Sequence, residues 1–211
     1  MRITEIFYSV QGESSHAGKP CVFVRLTGCS LRCVWCDTKY SYFGGQEMTL
    51  AEVLQDVERH PAKLVEVTGG EPLEHEEVYP LMNALLERGY TVMLETGGHV
   101  AIDRVPERVI KIIDIKCPDS GEKAKNHRAN LDLAKPHDEF KFVIASRRDY
   151  EWARDVFNAE LRTRPNVTLF SPSHDDVPSK ELAGWVLEDG LAVRVQLQVH
   201  KYIWGARTKG V

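Results

Sequence analysis

Cys29-Ser30-Leu31-Arg32-Cys33-Val34-Trp35-Cys36 reads C-x3-C-x2-C, three cysteines in one short turn of chain. Thiolate is the soft ligand of iron–sulfur clusters, and four cysteines complete a [4Fe–4S] cube. This run stops at three. One iron is left without a protein thiolate, and an open metal position signals chemistry rather than scaffolding. A zinc knot is the other reading, with Asp37 or His16 as fourth ligand, although structural zinc sites favour paired C-x2-C units. A disulfide framework fits poorly, because five cysteines in 211 residues is an odd and sparse count.

The residues on either side place this turn at a strand end. Cys21–Leu26 is short and dense in β-branched and aromatic residues, so it reads as a strand that feeds Thr27-Gly28 and the cysteines. Upstream, Ile3–Val10 is strand-like and runs into a polar Gln11-Gly12-Glu13-Ser14 loop. Downstream, strands are expected at Leu64–Val67, Thr91–Leu94, Val109–Ile115, Phe140–Ile144 and Val167–Phe170. Helices are expected at Met48–Glu58 (Thr49 and Glu52 as a capping box), Val78–Arg88, Tyr150–Arg162 (Asp149 as its cap) and Ser179–Glu188. Ala192–Val199 alternates, which predicts a last strand with Arg194, Gln196, Gln198 and His200 on one face.

Short apolar strands alternating with helices predict an α/β fold built on a parallel sheet, whose sites lie at the carboxyl ends of the strands. Thr68-Gly69-Gly70-Glu71-Pro72 and Thr96-Gly97-Gly98 end two strands about one βα repeat apart. Glycine there lets a ligand approach the backbone, or simply makes a turn before a proline-started helix. The expected organisation is one domain over residues 1–211, with the polar, aperiodic stretch 118–139 as an insertion or lid. A net charge of −4 and a pI near 6.1 argue against a nucleic-acid surface. No apolar run approaches the ~18 residues of a membrane span and no signal-peptide pattern leads the chain, so a cytoplasmic location is expected from its free thiols.

The cysteine run together with Gly-Gly-Glu-Pro resembles the radical S-adenosylmethionine (SAM) superfamily. There three cysteines hold a [4Fe–4S] cluster and SAM chelates the fourth iron. The resemblance implies a partial, modified (β/α) barrel with reduced helices. It places Cys29, Cys33 and Cys36 on the cluster. SAM would lie against Trp35, Cys36 and Asp37, then Gly70 and Glu71, then Asp114, Ile115 and Lys116, and finally Ser171, Pro172, Ser173 and His174.

A narrower likeness is carried by Val10-Gln11-Gly12-Glu13, Arg25, Thr27-Gly28-Cys29, Trp35-Cys36-Asp37-Thr38-Lys39-Tyr40 and Gln198-Val199-His200-Lys201-Tyr202. It is similar to the radical SAM family that makes 7-carboxy-7-deazaguanine, in the pathway to queuosine, from 6-carboxy-5,6,7,8-tetrahydropterin with loss of ammonia. The likeness implies a lyase that needs Mg2+, with Thr38 as the Mg2+ ligand. Substrate would meet Val10, Gln11, Gly12, Glu13, Arg25, Thr68 and His200. It also implies an electron donor such as flavodoxin or ferredoxin, and a homodimer. Arg25 suits a carboxylate, because an arginine inside an apolar strand has to find a partner. Taken alone, Asp37-Thr38 is an ordinary turn, and lone histidines such as His16, His60, His75, His99, His127 and His137 carry no role. A glycyl-radical-activating enzyme and a non-catalytic metal-binding protein are the competing readings. Cys21 and Cys117 read as packing residues.

Overall fold

Nine strands form one open sheet in a computed structural model that describes residues 1–211. The strands are β1 (Arg2–Val10), β2 (Pro20–Leu26), β3 (Gln46–Glu47), β4 (Leu64–Gly69), β5 (Thr91–Thr96), β6 (Ile110–Asp114), β7 (Glu139–Ile144), β8 (Val167–Pro172) and β9 (Arg194–Val195). Their order is β3-β1-β2-β4-β5-β6-β7-β8-β9. From β2 to β9 every pair is parallel, while β1 pairs antiparallel with β2 and β3. The two edge strands do not meet, so the barrel is partial. The helices are α1 (Leu50–Glu58), α2 (Val78–Glu87), α3 (Asn130–Leu133), α4 (Arg147–Val156), α5 (Ser179–Glu188) and α6 (Val199–Trp204). They are reduced as expected: the β5–β6 crossover has none and the β6–β7 crossover only the four residues of α3. No helix is long and apolar enough to cross a membrane.

The two faces of the sheet have opposite chemistry because side chains alternate along each strand. Val22, Val24 and Leu26, Val65 and Val67, Val92 and Leu94, and Phe140, Phe142 and Ile144 all belong to the main apolar core, packed with the buried faces of the helices. The opposite face begins with an apolar floor of Phe23, Leu64, Met93 and Ile112, where Phe7 stacks on Phe23 at 4.8 Å. Towards the carboxyl ends it turns polar: Arg25, Thr68, Glu95, Asp114, Lys141 and Ser171 open into one cavity. Strand polarity and alternation thus put chemistry on a single face and stability on the other.

Several boundaries follow sequence logic. Thr49 and Glu52 form the capping box of α1, with Thr49 N–H donating to Glu52 Oε2 (2.7 Å) and Glu52 N–H to Thr49 Oγ1 (3.3 Å). α4 starts earlier than expected, because Ser146 and not Asp149 caps it (3.1 Å to the Asp149 N–H). Asp149 is fully buried and accepts the N–H groups of Asp119 (2.8 Å) and Ala145 (3.1 Å). Beyond Val156 the helix widens into a π turn, Phe157–Leu161.

The expected strand over Ala192–Val199 shrinks to the two residues of β9. Gln196 N–H still donates to Phe170 O of β8 (2.8 Å), but beyond it the backbone leaves the sheet, as Val199 N–H donates to Gly12 O at 2.9 Å and α6 begins. The Arg194–His200 polar stripe therefore does not exist; Gln196 is buried and His200 lies on a helix. Residues 118–138 belong to the β6–β7 crossover and Glu139 opens β7; none of them lines the cavity. Asn126 and Asn130 fasten this stretch: Asn126 exchanges bonds with the Lys116 backbone (2.8 and 2.9 Å), and Asn130 bonds Ile102 N and Val100 O.

Candidate active site

The cluster loop is held from outside at alternate residues. Ser30 N–H donates to both carboxylate oxygens of Glu74 (3.1 Å each), Arg32 N–H to Glu122 Oε1 (2.6 Å), and Val34 N–H to Ser120 O (3.1 Å). Glu74 is in turn oriented by His99 Nε2 at 2.9 Å. The loop carbonyls are covered by cations: Arg32 reaches Leu31 O (2.6 Å) and Cys29 O, Lys39 reaches Val34 O (3.1 Å), and Lys125 reaches Ser30 O (3.5 Å). Three elements distant in sequence thus shape the loop, and Cys29, Cys33 and Cys36 all face the cavity. No three His, Cys, Asp or Glu side chains converge on one point as a mononuclear zinc site requires. A cube accepts each thiolate at a different iron, so thiols spread round a loop suit it. Burial raises the Cys29 thiol to about 11, so a bound metal has to draw off that proton.

Gly70 is forced by packing. A Cβ there would run into the Gly28 carbonyl oxygen and meet Cys29 Cβ at 3.2 Å, so the strand end lies directly on the cluster loop. Glu71, by contrast, is fully buried away from the cavity. Its carboxylate takes the N–H groups of Leu73 (3.0 Å) and Gly97 (2.7 Å) and the Thr96 hydroxyl (2.9 Å), tying the end of β4 to that of β5. Its pKa is raised by burial.

Beyond the cluster loop, Trp35 lines the cavity with Lys116 Nζ 5.3 Å from its ring, and Lys116 pairs with Asp114 at 2.5 Å. Burial would raise the Asp114 pKa, but the ammonium groups of Lys116 and Lys141 hold it below the ordinary value. Trp35 Nε1 is buried with no hydrogen-bond partner in the protein, and Asp114 Oδ1 has only the Lys141 ammonium, at 3.5 Å. A buried donor left unpaired beside three thiols fits a polar ligand such as SAM. Ser171, Ser173 and His174 line the same wall, whereas Ile115 is in the core and Pro172 closes β8 without facing the cavity.

The opposite wall is built from the Gln11-Gly12-Glu13 loop and the inner strand positions. Arg25 Nε is paired with Glu5 (2.8 Å), which also accepts the Tyr40 hydroxyl (2.8 Å). Neither terminal Nη atom of Arg25 has a hydrogen-bond partner in the protein, which leaves a fork free for a carboxylate. Gln11 Nε2 donates to Glu66, and Glu13 accepts Lys141 (3.0 Å) and Gln198 (2.9 Å). Burial pushes the Glu66 carboxyl well above its ordinary value, with nearby Glu95 adding to the shift. Burial also works against Glu13, but Lys141 and His200 outweigh it and keep Glu13 ionised. Lys141 bridges Glu13, Glu95 and Asp114 (3.5 Å).

α6 closes this side. His200 packs against Gly12 so tightly that a Cβ on Gly12 would overlap its ring, and burial lowers the His200 pKa. Lys201 pairs with Asp37 at 2.9 Å and outweighs the burial that would raise the Asp37 carboxyl. Of the residues expected at the site, Val10, Gln11, Gly12, Glu13, Arg25, Cys29, Cys33, Trp35, Cys36, Asp37, Thr38, Thr68, Gly70, Asp114, Lys116, Ser171, Ser173, His174 and His200 share the cavity; Glu71, Ile115 and Pro172 do not line it. Glu66, Glu95 and Lys141 were missed. The argument used for Arg25, a charge inside an apolar strand, would have found all three.

The radical SAM superfamily profile matches residues 23–181. A curated 7-carboxy-7-deazaguanine synthase of Koribacter versatilis is 48% identical over 226 aligned residues, covering all of both chains. The synthase of Chlorobaculum tepidum is 46% identical, covering all of this chain and 97% of its own.

The chain belongs to the 7-carboxy-7-deazaguanine synthase family of the radical SAM superfamily.

Crystal structures agree on the fold. QueE from Escherichia coli superposes with a TM-score of 0.77 at 24% identity over 94% of each chain. SAM-bound SuiB of Streptococcus suis gives 0.55 at 11% identity, over 83% of this chain and 51% of its own. The family assignment accounts for a cavity that is thiol-lined at one end and carboxylate- and amide-lined at the other.

Proposed function

We propose that this chain is a carbon–nitrogen lyase that converts 6-carboxy-5,6,7,8-tetrahydropterin to 7-carboxy-7-deazaguanine with release of ammonia. The observation that carries the reading is one cleft in which three thiols and the free guanidinium fork of Arg25 face each other, in a chain that matches its named relatives end to end. Cys29, Cys33 and Cys36 would hold a [4Fe–4S] cluster, and Trp35, Asp37, Gly70, Asp114, Lys116, Ser171, Ser173 and His174 would surround SAM. Bound there, cluster and SAM supply one-electron chemistry that removes a hydrogen atom from C6 of the pterin.

The protein's own part is placement. Glu5 and Tyr40 fix the plane of the Arg25 guanidinium, so its two Nη atoms receive the substrate carboxylate as a pair. Thr38 presents one hydroxyl beside Cys36 (3.6 Å), enough for Mg2+, which keeps substrate and water oxygens as its other ligands. Gln11, Glu13 and Thr68 offer donors and acceptors to the amide edge of the pterin, with His200 behind them. Glu66, its carboxyl raised by burial, accepts Gln11 Nε2 and so orients that amide. The apolar floor of Phe7, Phe23 and Met93 keeps water from the reacting carbon. The reading extends to an acidic electron donor such as flavodoxin or ferredoxin, a homodimer and a cytoplasmic setting.

The test is anaerobic turnover of reconstituted protein with SAM, reductant and the carboxytetrahydropterin, with and without Mg2+. Product is sought by ultraviolet spectrum and mass. SAM cleavage with no deazapurine formed would overturn the reading.

A further inference from the structure

Glu66 sits at the foot of the cavity, on β4 two residues before Thr68. Arg25 pairs with Thr68 and Phe23 with Glu66 across β2 and β4, so Glu66 lies one pleat repeat, about 6.6 Å, deeper than the Arg25 level. Met93 of the apolar floor is its neighbour on β5. A carboxyl that is 4% exposed in such surroundings needs partners, and the protein supplies one. Oε2 accepts the Gln11 amide, while Oε1 takes no hydrogen bond from the protein and is left to the cavity.

Gln11 is itself engaged at both ends, since its Oε1 accepts the Glu13 N–H at 3.1 Å and its Nε2 also lies 3.9 Å from Met93 Sδ. Glu66 is thereby held in one orientation, with its free oxygen placed before a ligand arrives. The charges around it select what that ligand must offer. Glu13, Glu66 and Glu95 face one ammonium, that of Lys141, which bonds Glu13 (3.0 Å) and Glu95 but not Glu66. An acceptor-rich edge would add to the repulsion among the carboxyls, whereas an edge carrying N–H donors relieves it.

We propose that Glu66 recognises the 2-amino-4-oxopyrimidine ring of the ligand, its Oε1 accepting the 2-amino N–H. The inference rests on the pterin reading above and adds the group that orients the ring end opposite the Arg25-bound carboxylate. Conversion of a pterin to a deazaguanine leaves that ring unchanged. One contact therefore holds substrate and product alike while the other ring contracts.

The experiment is titration calorimetry on oxygen-free, reconstituted protein with SAM and Mg2+ present. One probe is 6-carboxypterin, which has no hydrogen at C6 to lose and so stays intact. The other is 6-carboxylumazine, in which an oxo group replaces the 2-amino group. Wild type is expected to bind 6-carboxypterin about tenfold more tightly than 6-carboxylumazine. In Glu66→Gln the new amide keeps its oxygen on Gln11 and turns its NH2 to the cavity, an acceptor replaced by a donor. That variant is expected to bind 6-carboxypterin about tenfold more weakly and to lose or reverse the preference. Equal binding of the two probes by wild type, or none, would overturn the assignment. So would a Glu66→Gln protein that keeps the wild-type preference, or one that loses both probes in equal measure. Should Glu66→Gln fail to fold, Glu66→Met, which suits the apolar floor, is the second variant and is expected to bind the two probes equally. Turnover is measured separately: deazapurine made by a chain without the preference overturns the role of Glu66 alone, and the preference in a chain that makes none overturns the lyase reading alone.

Discussion

Replacing Lys141 by methionine removes the one cation that faces Glu13, Glu95 and Asp114 together. The Lys141 side chain is 4% exposed, and its partners are 17%, 27% and 10% exposed. Breaking a fully buried ion pair costs about 3–5 kcal/mol, and because the cavity wets Glu13 and Glu95 the low end, about 3 kcal/mol, applies. For a chain of this size that is a fall in melting temperature of about 6–12 °C. The pH dependence has a definite sign. Glu13 and Asp114 have depressed pKa values in the folded wild type, so their contribution is present above the ordinary carboxylate range and lost as pH falls through the folded values. Without Lys141 less opposes their burial, Lys116 still pairing with Asp114 and Gln198 with Glu13, so the folded pKa values rise and stability is lost as pH climbs through them. The difference between the two proteins is therefore largest near neutrality and shrinks as pH falls towards and below the ordinary values of 3.8 to 4.5. Scanning fluorimetry of reconstituted protein at about pH 7.5 and about pH 5 measures it. A shift below about 2 °C at neutral pH, or one that grows on acidification, refutes the reasoning.

Other outcomes follow from the same geometry. Thr38→Ala is expected to lower turnover and its response to Mg2+ while cluster absorbance stays intact; an unchanged rate and metal response remove Thr38 from the site. Alanine at Cys29, Cys33 or Cys36 abolishes cluster and activity, whereas Cys21→Ala and Cys117→Ala, both fully buried packing residues, assemble it normally by iron and sulfide analysis. Glu122→Ala frees the Arg32 N–H and is expected to lower cluster retention after desalting. Glu122→Gln keeps an acceptor oxygen and restores much of it, and equal loss in both would contradict a role for that bond. Gly70→Ala pushes against Gly28 O and is expected to lower soluble yield and cluster content together.

The parallel α/β plan was legible because the inner strands are near-continuous apolar runs bounded by glycine turns and capped helices. The antiparallel β1 and its pairing with β3 were not, since alternation in Ile3–Val10 carries no sign of direction. The end of the chain misled for a definite reason. Ala192–Val199 has the period of a strand, but Gly12 and Glu13 offer its backbone and Gln198 better partners than a sheet edge does. Residues 118–139 read as an insertion or lid because they lack periodicity; Ser120, Glu122, Asn126 and Asn130 act singly, through hydrogen bonds that no spacing rule encodes. Site residues next to recognisable motifs were found, while Glu66, Glu95 and Lys141 meet only because β4, β5 and β7 turn the same face of one sheet to the cavity.

The bond from Val199 N to Gly12 O and the one from Gln198 to Glu13 join the first loop to the last helix. At roughly 5–20 residues per second, the ribosome releases the second partner about 10–40 s after the first. Throughout that interval the thiol loop is made but lacks the wall that α6 supplies, so metal can be loaded before the pterin pocket is closed.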